Sequence, residues 1–190
     1  PPYGACLLGS FNLVKYVDGD KFDWSQYKSD IQTVVRAMDN VIDRTIYPLP
    51  EQEKEAKNKR RMGLGVTGLA NAGELLRMPY ATPEFMSWAE DALKMLRDET
   101  YTASALLAKE KGSFPLYNAE KYLAGRFVKT LPKRVRELIK EHGMRNSHLT
   151  SIAPTGTISL TADNVSSGIE PPFSHYYDRT VQQFDGHQIE

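Results

Sequence analysis

Between Asp23 and Pro48 the chain carries one long amphipathic period. Trp24, Tyr27, Ile31, Val34, Val35, Met38, Val41, Ile42 and Ile46 recur at steps of three and four, which lines them along one stripe of an α-helix. A helix with such a stripe is stable in water only when another element covers it, so this run commits the chain to a packed core. Asp23 or Ser25 is placed to cap its start, and Pro48 and Pro50 bound its end. A second long pattern runs from Pro83 to Lys111. Thr82 precedes it as a cap, Pro83 takes the first helical position, and Gly112 supplies a C-cap.

The remaining segments are shorter. Ala5 to Val17 is apolar, β-branched towards its end, and stopped by the turn Asp18-Gly19-Asp20, which reads as a buried strand or extended segment. Glu51 to Arg61 is nearly all charged, with carboxylates first and cations last, as a solvated helix aligned with its own dipole requires. Ala70 to Met78 reads as a short helix closed by Pro79. Asn118 caps another, and a last one runs from Pro132 to His142 before Gly143. Leu149 to Ala153 is strand-like, and Pro154-Thr155-Gly156-Thr157 is a turn rich in small hydroxyls. Short strands between long helices predict an α/β fold with more helix than strand, in one domain of 190 residues.

Composition narrows the function. Lys and Arg number 24 against 24 Asp and Glu, so the basic excess expected of a direct DNA binder or a membrane-surface protein is missing. No apolar run approaches the ~20 residues a membrane helix needs. A lone cysteine, Cys6, excludes an internal disulfide framework and points to a reducing, cytoplasmic setting. The chain opens Pro-Pro-Tyr, without an initiator Met, as the middle of a longer protein would.

Three segments carry possible chemistry. Gly63-Leu64-Gly65-Val66-Thr67-Gly68 matches the dinucleotide pattern G-x-G-x-x-G, but it follows a charged helix and Pro79 and Pro83 interrupt the unit it would need. A glycine-lined strand packed closely on a neighbour is the better reading. Ala153 to Ser159 offers Gly156 for close backbone approach and hydroxyls from Thr155, Thr157 and Ser159. A helix starting near Thr157 would aim its free N–H groups at an anion such as phosphate, and a plain hydroxyl-capped turn is the alternative. Without a lysine after the glycine it is not a Walker loop. Cys6 lies in an apolar segment with no Lys, Arg or His within eight residues, so locally it reads as a small buried hydrophobe. His142, His148, His175 and His187 lack metal-ligand spacing, so no metal site is expected, and Phe173, Tyr176, Tyr177 and Phe184 read as core aromatics.

Taken together, three stretches resemble the catalytic (large, or alpha) subunit of ribonucleotide reductase. They are Pro2 to Leu13 around Cys6, Arg60 to Ala70, and Arg145 to Ser159 continued by Ser166-Ser167-Gly168-Ile169-Glu170-Pro171. Leu7 departs from the asparagine that many members carry there. The resemblance implies a ten-stranded α/β barrel of two half-barrels, of which residues 1–190 are one fragment, part of the second half. It also implies reduction of ribonucleotides to 2′-deoxyribonucleotides by a thiyl radical. Cys6 matches one member of the redox-active pair, whose partner and the radical cysteine lie upstream in the family. Pro154, Thr155, Gly156, Thr157, Ile158 and Ser159 match the substrate-phosphate loop. The form of the Cys6 and Pro154 segments is most similar to the adenosylcobalamin-dependent class, with the branch that uses a separate metal-containing radical subunit close behind. Implied partners are a ribonucleoside di- or triphosphate, the remainder of the catalytic subunit and an external dithiol reductant, and the fragment alone is expected to be inactive. A non-catalytic phosphate- or nucleotide-binding module derived from the same barrel is the alternative.

Overall fold

A computed structural model describes residues 3–174, 176, 181–182 and 188–189. Strand β1 (Leu7–Asn12) leads through one 3-10 turn (Leu13–Tyr16) into a small antiparallel ribbon of β2 (Val17–Asp18) and β3 (Lys21–Phe22) around the expected turn. Helix α1 (Trp24–Arg44) follows, capped by the Asp23 carboxylate accepting from the Gln26 amide. Its stripe of Tyr27, Ile31, Val35, Met38 and Ile42 is buried, while Val41 and Ile46 face solvent. The helix stops at Arg44, two residues short of Ile46. The Thr45 hydroxyl and amide both turn back onto the Val41 carbonyl, and the chain is already extended before Pro48.

Helix α2 (Pro50–Lys59) buries none of its residues and matches the solvated helix expected there. It ends at Arg60, whose left-handed backbone (φ 48°) turns the chain into β4 (Met62–Thr67). β4 pairs in parallel with β1, from Leu7 opposite Met62 to Asn12 opposite Thr67. Two parallel neighbours need a long crossover, and α1 with α2 supplies it. Every residue of β4 is buried, as a strand covered on both faces must be.

Helix α3 (Leu69–Leu75) is followed by α4 (Pro83–Lys111), which has the expected Thr82 cap and Gly112 stop. α5 (Ala119–Ala124), α6 (Arg126–Thr130) and α7 (Lys133–His142) complete the helical layer. Of these α6 has no sequence signal, because Gly125 only breaks what would otherwise be one short helix. α4 packs against both α1 and α7, and α1 packs against β4. The chain ends with α8 (Gly156–Thr161) and a two-residue pairing of β5 (Val181–Gln182) with β6 (Gln188–Ile189). The described fold is a helix-rich α/β arrangement.

Leu149–Ala153 is a strand only at its beginning. Met62 and Leu64 donate amides to the His148 and Leu149 carbonyls, Ser151 donates to the Leu64 carbonyl, and Thr150 bridges Leu64 in parallel. The segment then crosses over the face of β4, which removes it from the ladder. The aromatic expectation is corrected more sharply. Phe173 and Tyr176 are each 92% exposed, so they form no part of the described core, and Tyr177 and Phe184 lie outside the described residues, as do His175 and His187. The core aromatics include a connected cluster of Phe11, Phe22, Tyr27, Phe85 and Trp88, drawn from four separate elements, together with Tyr101 and Phe114.

Candidate functional site

The two strand glycines of β4 explain how its neighbours come so close. A Cβ added at Gly63 would stand 2.6 Å from the Leu8 side chain and 2.9 Å from Ser151 Cβ, and one at Gly65 would collide with the Ser151 carbonyl oxygen. The G-x-G-x-x-G run is therefore a packing surface. Its first two glycines sit inside a strand, not in the turn after one, where pyrophosphate binding would need them.

Cys6 sits just before β1 and is exposed, against the local expectation of a buried hydrophobe. Its sulfur lies 3.5 Å from the Cβ position of Gly63, over the same glycine face that Ser151 crosses. Leu7, where the family resemblance departs, packs partly against the core.

Three residues after Ser151 the chain enters the hydroxyl-rich turn. Thr155 has φ 54°, a left-handed conformation that is strained for a β-branched residue. What holds it is a buried hydrogen-bond chain. The Gly168 amide donates to Thr155 Oγ1 (2.6 Å), Thr155 and Thr67 share a hydroxyl bond (2.9 Å), and Thr67 Oγ1 donates to the Ser166 carbonyl (3.0 Å). With one proton per hydroxyl, Thr155 must be the donor to Thr67, and its donor is committed inside the protein. Ser159 is likewise committed, donating to the Gly156 carbonyl (3.0 Å). Pro154, Gly156, Thr157 and Ile158 are exposed.

Gly156 is the informative member. Its backbone does not require glycine, and an added Cβ would meet nothing within 4 Å. The missing side chain leaves open space beside a cleft of about 580 Å³, lined by Asn71, Gly156, Thr157, Ser159 and Leu160 and by residues of Asn164–Ser167 and Glu170–Ser174. Among the described residues no lysine, arginine or histidine lines it, and Glu170 is its one ionisable side chain. An anion held here would be bound by backbone amides, hydroxyls and amide side chains.

A cluster that sequence reading missed ties α1 to the residues that lead into β4 and into the last strand segment. Asp39 of α1 is fully buried. It accepts from Arg60 Nε and Nη2 (3.0 and 2.7 Å), from Asn146 Nδ2 (3.0 Å) and from Arg145 Nε (3.2 Å). Ser104 of α4 completes it by donating to Asn146 Oδ1 (2.9 Å). Burial alone would raise the Asp39 carboxyl, but the hydrogen bonds and charges of Arg60 and Arg145, with Asn146, outweigh it and hold the group below the ordinary carboxylate range. The signal was present in Arg60-Arg61 ahead of the glycines and in Arg145-Asn146 ahead of the last strand, but nothing local pairs either with Asp39. At the opposite ends of the strands a second cleft of about 540 Å³ is lined by Tyr101, Tyr122, Phe127 and His148 among others. There burial pushes the Tyr101 hydroxyl up to about 12, and burial with the charges of Arg61 and Lys59 pulls His148 down.

Comparison with known proteins decides the affiliation. Residues 2–189 match the family described as ribonucleotide reductase, barrel domain. The chain belongs to the ribonucleotide reductase family. It is 36% identical over 180 residues to the vitamin B12-dependent ribonucleoside-diphosphate reductase of Mycobacterium tuberculosis, covering 95% of this chain and 24% of that protein. It is 39% identical over 181 residues to the protein of the same name from Thermoplasma acidophilum, covering 95% and 22%. Against the ribonucleoside-diphosphate reductase subunit alpha of Chlamydia pneumoniae the identity is 34% over 194 residues, covering 90% and 18%. The chain thus spans about a quarter or less of these curated relatives. Within the reductase barrel, the three stretches singled out in the sequence now have places. Cys6 and Gly63 meet over β4, Arg60 and Arg145 meet at Asp39, and the Thr155 turn is tied to the Ser166–Gly168 stretch. No described helix is long and apolar enough to cross a membrane, and no group of three or more His, Cys, Asp or Glu among the described residues is arranged to hold a metal.

Proposed function

We propose that residues 1–190 are one piece of the second half of a ten-stranded reductase barrel, and that the complete subunit reduces ribonucleoside diphosphates to 2′-deoxyribonucleotides. In this reading Pro154–Ser159 holds the substrate phosphates and Cys6 is one of two thiols that supply the reducing electrons. The observation that carries it is the shared placement of cysteine and loop. Cys6 flanks Ser151 over Gly63, and Pro154 follows three residues later, roughly 10 Å along an extended chain. One nucleotide spans that interval, with its ribose near the sulfur and its phosphates at Gly156.

The chain's own contribution to the chemistry is then definite. Backbone amides at the start of α8 and the exposed Thr157 hydroxyl orient the phosphates, in a cleft whose described lining carries no cationic side chain. A thiyl radical on an upstream cysteine activates the ribose. Cys6 and its partner thiol together give two electrons and two protons, so that the 2′-hydroxyl leaves as water and the pair closes to a disulfide. An external dithiol then reduces that disulfide by exchange, for which the exposure of Cys6 is suited. The B12-dependent names of two relatives support adenosylcobalamin as the cofactor of the complete enzyme. The residues described do not seat it. Both clefts have the size of drug-like ligand sites, far below a corrinoid, and no step above runs through the cofactor.

The test is Cys6→Ser in the complete subunit. Turnover with a dithiol reductant should be abolished while radical formation, followed by electron paramagnetic resonance, persists. Normal multiple turnover would reduce Cys6 to a packing residue.

A further inference from the structure

We infer that Ser166 is a phosphate-binding residue of the cleft, supplying a hydroxyl donor from outside the Gly156 turn. The inference rests on the phosphate-loop reading above and goes past it, because Ser166 lies outside that loop.

Ser166 is held at both backbone groups. Its amide donates to Asn71 Oδ1 (2.7 Å), and its carbonyl accepts from the Gly68 amide (2.7 Å) and from Thr67 Oγ1 (3.0 Å), which uses both lone pairs. The residue lines the cleft, yet it is only 7% exposed. Its hydroxyl is buried and has no hydrogen-bond partner among the described residues. Of the other buried small hydroxyls here, Thr67, Thr155 and Ser159 all donate internally. A buried unpartnered hydroxyl is costly and uncommon in a native fold. Here it belongs to a residue whose position is set by three hydrogen bonds and which shares the cleft with Gly156, a glycine with open space above it. Such a group is poised to donate to an acceptor that arrives with the ligand. Among the described residues the lining has Glu170 as its one ionisable side chain and no cation, so an arriving phosphate is held there by hydrogen bonds, and a charged phosphate oxygen is the acceptor that makes the strongest one.

The experiment compares Ser166→Ala and Ser166→Cys in the complete catalytic subunit, with Gly156→Val as a parallel variant. A hydrogen bond to a charged group is worth roughly ten- to a hundredfold in affinity. We therefore expect KM for cytidine diphosphate to rise about tenfold in Ser166→Ala with kcat within twofold, and the inhibition constant of cytidine, which lacks phosphate, to stay unchanged. Ser166→Cys, which keeps the shape but offers a weak donor, should reproduce the loss. The melting temperature of ligand-free Ser166→Ala should equal or exceed wild type, since an unpartnered hydroxyl is removed. An unchanged KM overturns the inference. So does a lowered melting temperature with cytidine and cytidine diphosphate weakened alike, which would mark a structural hydroxyl bridged by water. If Gly156→Val raises KM and Ser166→Ala does not, only this inference fails. If neither does, the phosphate-loop reading fails with it.

Discussion

The hydroxyls of Thr67 and Thr155 lie 2.9 Å apart, although 88 positions separate them in sequence. Through this bond the end of β4 holds the first residue of the Gly156 turn in a left-handed conformation that threonine disfavours. Thr155→Val removes the acceptor of the buried Gly168 amide and keeps the unfavourable backbone. It should destabilise the folded subunit by about 1–3 kcal/mol, read as a drop in apparent melting temperature. Thr155→Ser, which retains the hydroxyl, should stay close to wild type.

Glycine substitutions should separate packing from ligand space. Gly65→Ala drives a methyl into the Ser151 carbonyl and should cost about 1–3 kcal/mol by overpacking. Gly156→Ala, with nothing within 4 Å, should leave thermal stability unchanged. Equal stability losses in the two variants would contradict the open space at Gly156.

Asp39 should dominate the acid response of this part of the fold. Asp39→Asn leaves Arg60 and Arg145 without their buried counter-charge and should cost on the order of 3–5 kcal/mol in thermal or urea unfolding. The Asp39 carboxyl titrates lower in the folded state than the unfolded value of about 3.9. Its stabilisation is therefore complete above that value and is lost as the pH falls through the folded one. Wild type should lose stability between about pH 5 and its acid limit more steeply than Asp39→Asn, whose amide does not titrate.

Alone in solution, the 190-residue chain should self-associate and turn over no nucleotide. Among the described residues β1 pairs only with β4, which leaves its other edge open, and Leu8 on that strand is 54% exposed. Sedimentation velocity across a concentration series should show growing species. A monodisperse monomer at high concentration would refute this.

Local patterns made much of the architecture legible. The stripe from Tyr27 to Ile42, the Asp23, Thr82 and Asn118 caps, and the Gly112 and Gly143 stops depend on residues within one or two turns of each other, and the structure reproduces them. The turn at Pro154–Ser159 was visible for the same reason. The exposure of Phe173 and Tyr176 was not, because aromatic content alone does not say whether another element covers it.

The sequence by itself determined the helical layer, the α/β class, the glycine-lined strand and the family to which the chain is similar. All of these are written in spacing of a few residues or in short contiguous motifs. Only the tertiary structure decided that Cys6 is exposed over Gly63, that Asp39 gathers Arg60 and Arg145, and that Ser166 keeps an unpartnered hydroxyl at the cleft. Each of those facts depends on which hydrogen-bond partners remain after segments tens to more than a hundred positions apart have packed. No local window of sequence contains that information.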